Sequence, residues 1–288
     1  MSRYFYLFFA LFVSMQTIAQ EGSDIYLFNF HLDANRFSLS NPRNATNSPG
    51  FDGQPAFMAN SESFLYSADD GFGQTDVYRY NLSSQSERRL TFTPDSEYSP
   101  TPTPNQEFFS CIVHQRSGDK KLWKFPIHGA VPTLLSNIES IERHFWVDNN
   151  TIQAYVSGQP NALELIDVTT DKRTNKISEN PGLSFQSIPK TNLLSYIEID
   201  GISNTIMSYD PVTLQKNVII KTKNKSEYYT WTPNGILLSG DGEKLYKYDP
   251  TIDKDWVEVA NINDYGLKQF SQITVSPSGN LLAMVIKE

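Results

Sequence analysis

A short turn recurs along the chain at a nearly fixed interval, and this constrains the fold more than any other feature. Stepping back from SPSG at Ser276 by roughly 44 residues at a time meets TPNG at Thr232, IPKT at Ile188, VDNN at Val147, TPNQ at Thr103 and MANS at Met58. Self-similarity at such a period marks a repeat architecture, in which each unit buries its apolar face against its neighbours. A short aromatic or apolar stretch precedes each turn. A second apolar run follows it: FLYS at Phe64, FFSCIV at Phe108, IQAYV at Ile152, LLSYI at Leu193, ILLS at Ile236 and LLAMV at Leu281. Two strands across a four-residue turn make a hairpin.

A third element follows in register. DVYRYN begins at Asp76, KLWKFP at Lys121, LELIDV at Leu163, TIMSYD at Thr205 and KLYKYD at Lys244, most of them with the period of two that signals a strand. More polar stretches close each unit: RRLTF at Arg88, PTLL at Pro132, RTNKI at Arg173, KNVIIKT at Lys216 and WVEVANI at Trp256. Four antiparallel strands per unit of this length describe a propeller blade. Five units are complete, starting near Phe51, Tyr98, Ile141, Leu183 and Tyr228, while the sixth runs out after two strands at Glu288. Its missing half stands at the other end. DIYLFNF, 24 to 30, matches DVYRYN and KLYKYD column by column, and RFSLSN after it supplies a fourth strand. The sequence therefore predicts an all-β, six-bladed propeller of four-stranded antiparallel blades, with the last blade closed by N-terminal strands (a Velcro closure). Seven blades are the alternative, but the 269 or so residues after the leader fill six at this period.

That leader is MSRYFYLFFALFVSMQTIAQ: Arg3, an apolar run from Tyr4 to Val13, and small residues Thr17 and Ala19 ahead of the expected cut. It reads as a secretory signal peptide over residues 1–19, too short in its apolar run to span a membrane, and leaves one propeller domain over 20–288. With no Cys at the cut, a lipoprotein is not expected, and the protein is placed in the periplasm or outside the cell. The lone Cys111 in FFSCIV cannot form an internal disulfide and reads as a buried small hydrophobe. A net charge of -8, with no basic run longer than a pair, excludes the footprint of a nucleic-acid binder.

The SPSG and TPNG turns, the loop SADDGFGQTDVY (67–78) and the stretch EYSPTPTPNQEFF (97–109) resemble the repeats of TolB-type six-bladed propellers, over essentially the whole mature chain. That resemblance implies the fold and is poorly specific for function. TolB itself has a further N-terminal α/β domain, whereas here blades follow the leader directly, so TolB's partners are not carried over. The nearer likeness is to stand-alone exported propellers.

No reactive constellation stands out in the residues. His31, His114, His128 and His144 fall on different blades without metal-ligand spacing, and GxSxG, HExxH and phosphate-loop patterns are absent. Asp69, Asp70, Gly71, Gly73 and Asp76 have calcium-like residue types but lack the closing Glu, and read as a strand-connecting turn. No catalytic residue, metal ligand or cofactor is expected. Geometry offers a site instead. The first strand of each blade borders the channel, and the column ahead of the recurring turns reads Gln54, Ser99, Arg143, Ser184, Tyr228 and Gln272, with Pro55, Pro100, His144, Phe185, Tyr229 and Ile273 next and Glu142 and Glu227 close by. From these, Gln54, Ser99, Glu142, Arg143, His144, Glu227, Tyr228 and Gln272 are candidate ligand-binding residues at the channel mouth. The expected function is a monomeric, non-catalytic propeller binding a protein partner, or a small polar ligand or glycan. The alternative is a metal-dependent, lactonase-like hydrolase or lyase using Glu142, Glu227 and His144 as ligands.

Overall fold

A computed structural model describes residues 22–33, 36–69, 73–129 and 131–287. The expected signal peptide lies outside the described residues, as do Asp70 and Gly71 of the calcium-like loop. Six four-stranded antiparallel sheets make up the fold, and the chain is a six-bladed β-propeller. Blades 1 to 5 take their innermost strands from Asp52–Phe57, Ser96–Pro102, Ile141–Trp146, Pro181–Ser187 and Tyr229–Trp231, and run outward in chain order to Ser86–Arg89, Thr133–Ser136, Lys172–Ser178, Lys216–Lys221 and Val257–Asn261.

Blade 6 is built from both ends of the chain. Phe270–Val275 and Leu281–Lys287 supply its inner half, Ser23–Leu32 and Phe37–Asn44 its outer half. Pairing across the seam is antiparallel and unbroken from Ser23 opposite Lys287 to Asn29 opposite Leu281. The strand that ends the sequence is thus paired on both sides, which removes the exposed apolar edge it would otherwise present.

Side chains in the middle strands alternate between the two neighbouring blades, as a period of two requires. In the closing strand, Ile25 and Leu27 pack with Phe64, Tyr66 and Tyr80 of blade 1, while Phe28 and Phe30 pack with Leu238, Leu245 and Ile262 on the blade 5 side. Each blade-to-blade interface has an apolar cluster of this kind among the described residues. Cys111 is fully buried in the one between blades 1 and 2. Outermost strands are mostly exposed and polar, as the RTNKI and KNVIIK stretches imply. Among the described residues no helix is long and apolar enough to cross a membrane.

Candidate functional site

The recurring turns close at one end of the channel. In TPNG the amide of Gly235 donates to Thr232 O, and in SPSG that of Gly279 to Ser276 O, with Gly235 and Gly279 at φ 88° and 72° where a side chain would be strained. Just before these turns, the inner strands of blades 1, 2, 3, 4 and 6 each shift register against the second strand. Such bulges re-aim side chains. At Gln54 and Ser99 the backbone turns into the left-handed region (φ 58° and 56°), and Pro55 and Pro100 follow, acceptable on a strand whose inner edge faces the channel.

A cavity of about 620 Å³ results, walled by the inner strands and turns of all six blades. Gln54, Ser99, Arg143, His144, Tyr228 and Gln272 all lie in its wall, together with Phe57, Phe145, Trp146, Phe185, Trp231 and Pro55, Pro100, Pro102, Pro104 and Pro277. Roughly 600 Å³ is within the range of small-molecule sites. Glu142 and Glu227, the two other candidates, are not part of this wall. Glu142 is instead held by Lys120 Nζ at 2.8 Å, by Tyr98 Oη at 2.9 Å and by Ser157 Oγ at 3.0 Å. Burial alone would raise its carboxyl, but those three donors hold it below the ordinary range.

His144 touches the cavity but works as a fastener between blades. Its Nε2 lies 2.6 Å from Ser110 Oγ on blade 2, and Trp146 Nε1 reaches the same oxygen at 2.9 Å. Two blades further on the arrangement repeats: Tyr229 Oη and Trp231 Nε1 donate to Ser195 Oγ at 2.8 and 2.9 Å, and Ser195 donates to Gln186 O at 3.0 Å. By the same pattern Ser110 donates to Thr101 O, leaving its two lone pairs for Trp146 and for an Nε2–H of His144. Burial pushes the imidazole down to about 3, so it stays neutral and acts as the donor that Tyr229 is in blade 5. The HFW and YTW stretches, 85 residues apart, carried this signal in the sequence. At the equivalent place on blade 3 stands Gln153, fully buried with neither amide atom paired within the protein; the next blade offers Phe185 and Ser187 there.

Buried carboxylates at the other end of the inner strands form a second repeated device. Thr91 Oγ1 donates to Asp76 and accepts from Val77 N–H, and Thr93 Oγ1 donates to Glu97. Between blades 6 and 1 the matching set is Thr46 with Asp24 and Ile25 N–H, and Ser48 with Asp52. Arg89 pairs with Asp76 at 2.7 Å, where Asn44 meets Asp24 in the other copy. Desolvation pushes Glu97 up to about 7 and Asp52 up to about 6. Both belong to blade interfaces and neither faces the cavity. Among the described residues no group of three or more His, Cys, Asp or Glu side chains is placed to hold a metal ion. Glu142, Glu227 and His144 therefore do not converge.

Two TolB structures share this architecture. Putative TolB from Agrobacterium tumefaciens superposes with a TM-score of 0.69 at 12% identity, over 93% of this chain and 99% of that one. The chain has the fold of a TolB-type six-bladed propeller. TolB from Acinetobacter baumannii matches with a TM-score of 0.61 at 12% identity over 92% of this chain, which spans 64% of that protein's length. An oligogalacturonate lyase in complex with manganese matches with a TM-score of 0.54 at 12% identity, over 94% of this chain and 99% of that one. No family model matches the sequence, and no curated protein matches it.

Proposed function

We propose that the protein is an exported, non-catalytic propeller that binds a partner or small ligand at the channel mouth. The carrying observation is the cavity of about 620 Å³ to which every blade contributes its inner strand, with Arg143 and Tyr228 facing each other in its wall. The supporting observation is that two of the titratable groups considered for chemistry are engaged in holding the blades: His144 fastens blade 3 to Ser110, and Glu142 is bound by Lys120. This leaves the hydrolase or lyase reading, with Glu142, Glu227 and His144 as metal ligands, without an assembled ligand set. Export rests on the leader over residues 1–19.

A photo-crosslinking residue in place of Thr274, in the cavity wall, compared with the same residue at Val257 on the outer strand of blade 5, tests the proposal in the protein's own host. A specific adduct from position 274 and none from 257 is expected. Adducts from 257 alone would place binding on the disc's rim and refute the reading.

A further inference from the structure

At the level of Arg143 the cavity wall is a column of six side chains, and its members are used differently. Gln272 Oε1 accepts from Gln54 N–H at 2.8 Å, Gln54 Oε1 from Ser99 N–H at 2.6 Å, and Ser184 Oγ from Tyr229 N–H at 3.3 Å. Those three side chains stitch one blade to the next. Arg143 and Tyr228 occupy the same column, yet neither side chain makes a stitch of this kind. They meet each other instead, the guanidinium 5.9 Å from the ring centroid, with blade 4 between their blades. Stacking on an aromatic face leaves the guanidinium edge and its donors available.

No carboxylate of the described residues lies within ion-pair distance of Arg143. Its neighbour Glu142 belongs to Lys120. The acidic residue in the cavity wall, Asp148, accepts the backbone N–H groups of Asn150 and Thr151 within its own turn. A half-buried cation with unused donors, set among aromatic and proline side chains, calls for an anion with an apolar body.

From this geometry we propose that the channel mouth holds an apolar carboxylic acid, its carboxylate on Arg143 and its body against Tyr228 and Phe145. The inference rests on the channel-mouth reading and narrows it. A polyhydroxylated ligand fits less well, because each buried hydroxyl needs a partner and the polar wall residues Gln54, Gln186 and Gln272 are already committed between blades.

Calorimetric titration of the full chain with N-acetylphenylalanine, its amide, 3-phenylpropionate and galacturonate tests this. The expected result is that one or both apolar acids bind about tenfold or more tighter than the amide and galacturonate, as a charge-assisted pair requires. Preference for the acetylated amino acid assigns the site to a peptide C-terminus, and equal binding of the two acids to free apolar acids. Arg143→Gln should abolish the preference for acid over amide with the melting temperature unchanged, and Arg143→Lys should keep part of it. Equal binding of acid and amide, no binding of either acid, or a preference that survives Arg143→Gln would overturn the proposal. A partner crosslinked at position 274 alongside any of those results would leave the channel-mouth reading standing and sink only the acid.

Discussion

Replacing Glu97 by Gln should change how stability responds to pH, by an amount that follows from where the carboxyl sits. Glu97 is fully buried between blades 1 and 2, close to Asp76 and hydrogen-bonded by Thr93. Desolvation carries its pKa from 4.5 to about 7. In the unfolded chain the group ionises at its ordinary value, so between the two values the unfolded state has already lost the proton that the folded state still holds. Stability from this group is therefore full below about pH 4.5 and declines as pH rises through about 7. At about 1.4 kcal/mol per pKa unit the loss is about 3 kcal/mol. Gln carries no charge at any pH, so the variant escapes that loss. Whatever it costs to replace the bond from Thr93 is present at both ends of the range and cancels in the comparison. Thermal unfolding of both proteins at pH 4.5 and pH 8 should show the variant gaining on the parent by about 3 kcal/mol, or about 6 °C for a chain of this size. A difference in melting temperature that is the same at both pH values would refute the argument and assign Glu97 an ordinary carboxyl.

Ser195→Ala should strand two buried donors, Tyr229 Oη and Trp231 Nε1, and lower stability in urea by about 2–4 kcal/mol; a loss below about 0.5 kcal/mol would mean the clasp is not a fastener. Deleting residues 22–41 removes the closing strand with Ile25, Leu27, Phe28, Phe30 and Leu32, each of them buried. At about 2 kcal/mol per side chain this is about 10 kcal/mol, comparable to the whole stability of a domain. Loss of cooperative unfolding is expected by circular dichroism, and a truncated protein that melts with the parent would contradict the seam.

The blades were legible because repetition makes a weak local signal strong: one apolar run is ambiguous, six in register with six turns are not. Closure was legible for the same reason, since Ile25, Tyr26 and Phe28 fit the column of Val77, Tyr78 and Tyr80. The six wall positions, Gln54 to Gln272, could be read as a column and do line one cavity. What each wall residue does was not legible. Whether Gln54 faces a ligand or holds Ser99 N–H depends on the bulge between Gly53 and Ala56, and on how close the next blade comes. His144 could not be given its partner from HFWVDNN, because Ser110 is 34 residues away on another blade. Glu142, next to Arg143, falls outside the wall, its carboxylate held by Lys120, Tyr98 and Ser157, none of them a neighbour in the sequence.

Hydrogen–deuterium exchange of the protein, with and without the partner captured at position 274, tests the central claim most directly. Binding at the channel mouth should protect the inner-strand ends and turns near Gln54 to Ala59, Ser99 to Gln106, Arg143 to Asp148 and Gln272 to Pro277, which form the cavity wall. Protection confined to the outermost strands, such as Ser86–Arg89 and Val257–Asn261, would contradict it.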